Sequence, residues 1–230
     1  MKIFFTLGLF LFPASFLFAQ KNGEIINPKE AERIVKFLSV DALRGRRVFT
    51  PDIEKAEDFI VNEFKSIGLQ TWNNNDSYQQ EFSMILPKFI SASAILDGVV
   101  IDSDNIIVVT CQQHLKIDQS SGYEIAAIKA GSNLTLEGSE FINSGKNILV
   151  MVDESYSTAF SRLNTLKDIL IKTEKNVIFI LDNSVPKNFK IEARHEIREE
   201  KLANIVAVLP GKSRKNEFVI ISGHYDHVGT

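Results

Sequence analysis

Two short apolar runs, residues 147–152 and 177–181, flank an amphipathic segment and constrain the fold more than any other feature of the sequence. The segment between them, residues 157–172, carries apolar side chains at steps of three and four: Phe160, Leu163, Leu166 and Leu170. Apolar residues at this spacing indicate a helix with one buried face, and short runs rich in Val and Ile indicate buried strands. Together they predict one βαβ unit whose two strands are parallel.

Two helices are predicted in the first third of the chain. The first covers residues 27–39, which open with an asparagine and a proline, both typical of a helix start. The second begins at Thr50, a capping residue that a proline follows, and carries apolar residues at steps of three and four. It ends at Gly68, because glycine fits the left-handed position that commonly follows a helix.

The rest of the chain is rich in predicted strands and turns. Between residues 80 and 182, glycines separate short runs that are typical of strands: residues 82–86, 93–96, 106–110 and 124–128. Residues 183–202 are polar and charged, and they indicate a surface connection. Two further strands, residues 204–209 and 217–222, are rich in Val and Ile, as in strands covered on both faces.

The composition is that of a globular protein without disulfide bonds. The 230 residues are 44% hydrophobic and 24% charged, which argues against a largely disordered chain. The formal net charge is -3 and no basic stripe stands out, so nucleic-acid binding has no electrostatic support. Cys111 is the only cysteine, so no intrachain disulfide can form. We interpret it as a small buried side chain rather than a nucleophile.

The N-terminus has the pattern of a secretory signal peptide. Lys2 supplies a positive charge, and residues 3–18 form an apolar run shorter than a bilayer-spanning helix needs. Ala19 offers a small residue for cleavage. We therefore expect residues 1–19 to be removed and the protein to be exported, to the periplasm or outside the cell, with no stable membrane association afterwards. An uncleaved membrane anchor is the alternative.

The segment after residues 217–222 contains the strongest candidate for chemistry. This predicted strand leads into His224, and the ligands of α/β sheets gather at the carboxyl ends of strands. A neutral imidazole there can bind a metal ion. Asp226 lies on the same side of an extended backbone and can accept a hydrogen bond from the other ring nitrogen, as beside many zinc-bound histidines. A chance pattern at the surface is the alternative, and His227 is either part of a pocket wall or solvated.

Other polar residues are weaker candidates. His114 and His195 lie in polar stretches without a partner at ligand spacing, and both are expected to be solvated. Asp153 and Glu154 follow a predicted strand, where they can bind a cation or stabilise a helix N-terminus. No serine or cysteine occupies a recognisable nucleophile turn.

Two separated parts of the sequence carry motifs that occur together in one known family. Residues 204–211 are Asn-Ile-Val-Ala-Val-Leu-Pro-Gly, and residues 223–229 are Gly-His-Tyr-Asp-His-Val-Gly. The matching N-terminal residues are Leu38, Ser39, Asp41, Leu43, Gly45 and Arg46, followed by residues 56–69. Over residues 28–70 and 202–230 the chain resembles the co-catalytic two-zinc aminopeptidases. That family includes bacterial leucyl aminopeptidases and resembles glutamate carboxypeptidases and the transferrin receptor ectodomain.

The resemblance implies an α/β fold, with the N-terminal part of a zinc-exopeptidase-type mixed sheet and flanking helices, interrupted by a β-rich insert. After the signal peptide, residues 20–79 are then the helical start of the peptidase domain. Residues 80–201 correspond to an inserted protease-associated-like domain, and residues 202–230 to the start of the core sheet with its first metal ligand.

The resemblance also implies an activity. In that family two zinc ions share a bridging aspartate and a water or hydroxide, and a glutamate acts as general base. By position, His224 matches a zinc ligand and Asp226 the residue that orients it. The remaining ligands have no counterpart up to Thr230, so we expect an exported aminopeptidase acting on peptides, present as an N-terminal fragment that is inactive alone. A non-catalytic binding protein on the same fold, or a relative of glutaminyl cyclases, is the alternative.

Overall fold

The computed structural model describes residues 27–229, so the predicted signal peptide lies outside the described residues. Within residues 27–229 the chain is mixed α/β, with three α-helices and eleven strands in three sheets. The helices are α1 (Pro28–Leu38), α2 (Pro51–Ser66) and α3 (Leu134–Asn143). The strands are β1 (Gln70–Thr71), β2 (Gln79–Leu96), β3 (Val99–Ile101), β4 (Ile106–Val109), β5 (His114–Asp118), β6 (Glu124–Ile128), β7 (Ile148–Val152), β8 (Leu170–Ile171), β9 (Val177–Leu181), β10 (Phe189–Ile205) and β11 (Ala207–Val208). Among these residues, no helix has the length and apolar character needed to cross a bilayer.

The centre of the fold is a four-stranded sheet with the order β4-β9-β7-β6. Strand β7 runs parallel to β9, with Ile148 opposite Val177, which confirms the parallel pairing predicted for residues 147–152 and 177–181. Strand β6 is also parallel to β7, whereas β4 is antiparallel to β9. Every residue of β4, β7 and β9 is buried, as expected for strands covered on both faces.

The segment between β7 and β9 is not the predicted α-helix. Residues 157–172 contain a 3-10 helix over Phe160–Lys167 and the short strand β8, so the helix prediction is wrong. The spacing explains the error, because Phe160, Leu163 and Leu166 are three residues apart and a 3-10 helix has three residues per turn. The first two of these side chains are buried, so the predicted apolar face exists in another helix type.

An α-helix that covers the same core, α3, was missed because its glycines indicated turns. Asn133 caps α3, since its Oδ1 accepts a hydrogen bond from the backbone N–H of Leu136 at 3.1 Å. Gly138 lies where α3 meets the 3-10 helix: a Cβ there would be 2.7 Å from Leu163 Cδ2. This glycine therefore allows close packing inside a helix rather than marking a turn.

The longest strands, β2 and β10, form an antiparallel ribbon from Gln79 opposite Ile205 to Leu96 opposite Phe189. The strands predicted at residues 82–86 and 93–96 are confirmed but belong to the single strand β2, whereas the surface connection predicted over residues 183–202 is wrong, because most of it lies in β10. The polar residues of β10 lie between buried ones, and a strand can bury one face while the other stays polar. The buried residues of its first half are Phe189, Ile191, Ala193 and His195.

The ribbon is the middle of a five-stranded sheet with the order β3-β2-β10-β5, in which β8 also pairs with β2. This sheet packs on one face of the central sheet around Leu96, Val108, Ile117, Leu149, Ile178 and Ile191. The other face of the central sheet packs around Val109, Leu134, Val150, Phe160, Leu163 and Phe179. Both cores lie within residues 80–201. Cys111, predicted to be buried, is half-buried against the second core.

A buried polar pair joins the end of β4 to the start of β9. Thr110 and Asn176 are both buried, and Thr110 Oγ1 donates a hydrogen bond to Asn176 Oδ1 at 2.5 Å. Replacing Thr110 by valine keeps the side-chain shape but leaves that amide oxygen unpaired, so we expect the free energy of unfolding to fall by about 1–3 kcal/mol. Urea denaturation measures the loss. Thr165→Val, at an exposed hydroxyl, is the control, and an equal effect in both variants would contradict the prediction.

Helices α1 and α2 have nearly the predicted bounds and pack against each other. The rings of Phe37 and Phe59 stack with centroids 4.0 Å apart, and the guanidinium of Arg33 donates to both carboxylate oxygens of Glu63. Helix α1 buries none of its residues. The predicted cap of α2 is wrong in one respect, because the Thr50 hydroxyl donates to a preceding carbonyl rather than accepting from the helix.

The predicted strand over residues 217–222 is not formed. Strand β10 ends at Ile205 and β11 pairs with β1, but no strand within residues 27–229 pairs with residues 217–222. The exposed fractions are 61% for Phe218, 92% for Val219, 85% for Ile220 and 94% for Ile221. A strand needs hydrogen-bonded neighbours and covered faces, and the described residues supply neither to this segment.

Candidate functional site

His224 lies in the segment of residues 223–229, which we call the strap, and the strap lies against the loop of residues 44–49. Arg46 in the loop makes the polar contacts: its Nε donates to the carbonyl oxygen of Tyr225 at 2.7 Å. Its own carbonyl oxygen accepts a hydrogen bond from the backbone N–H of His227 at 3.2 Å. The loop therefore binds the strap on both sides of residue 226.

Two glycines allow the strap and the loop to touch through their backbones. Gly45 has φ +76°, and a Cβ there would lie 2.7 Å from Gly229 Cα. Gly229 has φ +72°, and a Cβ there would lie 2.5 Å from Arg47 Cβ. Any side chain at either position would separate the two segments, in addition to the cost of a left-handed conformation.

The loop itself holds an unusual backbone. Arg44, Arg46 and Phe49 have φ values of 41°, 56° and 61°, a left-handed region that is costly for residues with side chains. The buried carboxylate of Asp52 anchors the loop, because it accepts hydrogen bonds from Lys55 Nζ at 2.9 Å and from Arg44 Nε at 2.8 Å. These two hydrogen bonds, that of Lys55 first, lower the pKa of Asp52.

Tyr225 connects the strap to helix α2 and strand β10. Its hydroxyl donates a hydrogen bond to Glu57 Oε1 at 2.8 Å and also contacts the carbonyl oxygen of Ala203 in β10. Burial of the phenol, and then its hydrogen bond to Glu57, raise the pKa of Tyr225 well above its ordinary value. The strap is thus connected to α2 and β10 as well as to the loop.

His224 itself projects into solvent, with its side chain 78% exposed. Its Nδ1 lies 2.8 Å from the backbone carbonyl oxygen of Asp226, and 3.7 Å from the Asp226 carboxylate. A carbonyl oxygen only accepts, so in the neutral ring Nδ1 carries the proton and Nε2 keeps a free lone pair. The sequence predicted that the Asp226 carboxylate orients the ring, whereas here the carbonyl of the same residue does so.

His224 can serve as one metal ligand, but the described residues around it do not supply a complete metal site. A neutral imidazole with a bare Nε2 is a normal zinc ligand, and a hydrogen bond at Nδ1 is the usual way to fix it. Within residues 27–229, no three His, Cys, Asp or Glu side chains come close enough together to hold a metal ion. His227 is exposed and contacts the loop through its backbone N–H.

The weaker candidates lie far from His224 in the chain and have structural partners of their own. His114 Nε2 lies 2.8 Å from Glu192 Oε1 on the neighbouring strand, and this contact is the main cause that lowers the pKa of Glu192. Asp153 accepts a hydrogen bond from the backbone N–H of Ser155 at 2.9 Å and so caps a short 3-10 turn. These contacts account for both residues without a ligand.

His195 is buried rather than solvated, so that prediction is wrong. It is 3% exposed, and neither ring nitrogen has a hydrogen-bond partner within residues 27–229. Its ring lies edge-on to that of Phe89 at 5.7 Å, and Lys167 Nζ lies 4.8 Å from the Phe89 ring centroid. Burial, and then the charge of Lys167, lower the pKa of His195. The sequence did contain a sign of this burial, because His195 lies two and four residues after Ala193 and Ile191, and such residues share one face of a strand.

Glu57 and Tyr225 were missed as residues of the site. Glu57 is 7% exposed and follows Ile53 by four residues, so it lies on the buried face of α2. A carboxylate on the apolar face of a predicted helix was the available signal for Glu57. Tyr225 is part of the motif of residues 223–229, but the sequence gave no sign of its role, because its partners Glu57 and Ala203 are 168 and 22 positions away.

Comparisons with protein-family models, with curated proteins and with solved structures gave no match. The contacts of the strap and the residues it presents are therefore the evidence that bears on function. The contacts that matter most are those of Arg46 with Tyr225 and of Gly45 with Gly229.

Proposed function

We propose that this chain is the N-terminal part of an exported, zinc-dependent aminopeptidase that removes N-terminal residues from peptides. The observation that carries the proposal is the contact between the two segments that resemble such enzymes. Residues 28–70 and 202–230 are separated by the whole insert, yet they meet at the strap, where Arg46 binds Tyr225 across 179 positions of sequence.

The nature of this contact supports the proposal more than proximity alone. The residues that touch are those of the motifs themselves: Gly45 and Arg46 on one side, Tyr225, His227 and Gly229 on the other. Two chance likenesses would have no reason to interlock residue by residue. A shared structural role of the two motifs explains why they occur together.

In the proposed enzyme, His224 is a zinc ligand through Nε2 and Asp226 holds the ring by accepting from Nδ1. Bound zinc supplies a Lewis acid and an activated water for peptide hydrolysis. The other ligands and the general base come from residues other than those described, since one imidazole cannot hold two ions. Residues 80–201 are then an inserted module of the protease-associated type, and residues 1–19 direct export.

The test compares the 230-residue chain with the complete reading frame, each supplied with zinc and aminoacyl-nitroanilide substrates. We expect hydrolysis by the complete protein, its loss with a chelator, and a loss of more than about 100-fold in His224→Ala, since even residues that only support a metal ligand contribute 10–100-fold. His114→Ala, at another exposed histidine, is the matched control and keeps full activity.

Two results would overturn parts of the proposal. Hydrolysis by the 230-residue chain alone would contradict the incomplete site. Absence of hydrolysis in the complete protein, with zinc bound or not, would favour a non-catalytic binding protein on this fold.

A further inference from the structure

Arg46 contacts the two residues that flank Asp226, whose carbonyl oxygen lies at hydrogen-bond distance from Nδ1 of His224. Its side chain donates to the carbonyl oxygen of Tyr225, and its backbone accepts from His227. We propose that Arg46 is the positioning residue of His224, holding the strap so that the imidazole presents a bare Nε2 before any metal binds. The inference rests on the proposed function and adds the means by which that site is prepared.

The chemistry of the contact favours arginine. Besides Tyr225, the Arg46 guanidinium donates to the carbonyl oxygen of Leu38, the last residue of α1. Carbonyls at a helix C-terminus have no partner within the helix, and the helix dipole favours a cation there. The planar guanidinium donates to two fixed acceptors at once, whereas a lysine ammonium is a compact charge on a flexible stem. Arg46 thus links the end of α1 to the strap.

The backbone of Arg46 contributes as much as its side chain. Its φ of 56° is costly for an arginine, and such conformations persist where surrounding contacts enforce them. Arg46 forms hydrogen bonds with the strap through both its guanidinium and its carbonyl oxygen, so these strap contacts help to enforce its left-handed backbone.

His224 depends on the strap for its orientation. Its side chain is 78% exposed, and its ring hydrogen bond is to Asp226 in the same strap. If the strap leaves the loop, water competes for Nδ1 and both neutral tautomers become populated. By holding the strap against the loop, Arg46 therefore determines which ring nitrogen of His224 carries the proton and which has a free lone pair.

The experiment observes the imidazole rings directly, by 15N-edited NMR of the 230-residue chain at pH 8 in the presence of a chelator. We expect a single Nδ1–H tautomer for His224 in the native sequence and a mixture of tautomers in Arg46→Ala, with partial recovery in Arg46→Lys. His114 and His195 are internal controls, because a general loss of structure would change their signals too.

A second pair of variants moves the strap without touching Arg46. Gly45→Ala and Gly145→Ala both place alanine at a left-handed position, φ +76° and +70°, but only Gly45 is in contact with Gly229. We expect the tautomer mixture in Gly45→Ala and the native single tautomer in Gly145→Ala.

Two results would overturn the role of Arg46: a tautomer mixture in the native chain, or a single tautomer in Arg46→Ala with the signals of His114 and His195 unchanged. Because no metal or substrate is present, the result is separate from the hydrolysis assay. A single Nδ1–H tautomer of His224 in the 230-residue chain, together with no hydrolysis by the complete protein, would overturn the proposed function and leave the role of Arg46 intact.

Discussion

Acidification from pH 7.5 to 5.5 should destabilise this protein through His195, and His195→Leu should remove that part of the pH dependence. His195 is buried without a hydrogen-bond partner within residues 27–229, beside Lys167. Its pKa is lowered on folding, so the unfolded chain binds the proton more readily. Stability is therefore full above the unfolded pKa of about 6.5 and falls as the pH drops below it, by at most about 1.4 kcal/mol per pH unit.

Urea denaturation of the native protein and of His195→Leu at both pH values measures this effect. Leucine keeps apolar bulk at the site and removes the two unpaired nitrogens. Carboxylates whose pKa is lowered, such as Asp97 and Glu192, lose their contribution only below their unfolded pKa values of about 4. His114→Gln is the matched control and should keep the acid sensitivity. An equal loss in native protein and His195→Leu would rule out His195 as its origin.

Phe179→Ala should cost about 3–5 kcal/mol in the free energy of unfolding, the typical effect of truncating a fully buried aromatic side chain. Phe179 is 0% exposed in β9, the second strand of the central sheet, and Gly138 of α3 approaches its ring. Since domains of this size have a total stability of about 5–15 kcal/mol, the variant should be marginally folded at room temperature.

The control for Phe179→Ala is Phe82→Ala, the same truncation at a ring that is 39% exposed in β2. Guanidinium denaturation followed by circular dichroism compares the two. We expect the Phe82 variant to lose about 1 kcal/mol or less, as exposed substitutions usually do. Similar losses for both would mean that the core around β9 is not the main source of stability.

The sequence predicted those parts of the fold that local patterns determine. Uninterrupted apolar runs indicated β7 and β9, and their parallel pairing was predicted from the helical crossover expected between them. The proline starts of α1 and α2 and the left-handed Gly68 indicated the two helices. Strand β10 was missed because its exposed face is charged. A segment judged only by how many polar residues it contains does not show that buried and exposed residues alternate along it.

The candidate site was predictable only in part, for the same physical reason. His224 and Asp226 are two residues apart, so their interaction could be anticipated, although the accepting group was the wrong one. The partners of Tyr225 lie at Arg46 and Glu57, 179 and 168 positions away. Such contacts depend on how the elements assemble and leave no periodic trace in the sequence.

The Arg46–Tyr225 contact has a consequence for the order in which the chain is made. Ribosomes add roughly 5–20 residues per second, so about 10–35 s pass between the synthesis of Arg46 and that of Tyr225, 179 positions later. Both buried cores are complete by the end of β10, so the insert can collapse during that interval, while loop closure over so long a separation is slow. The insert would therefore acquire its stable interior first, and His224 would reach its working position only after residues 80–201 have folded.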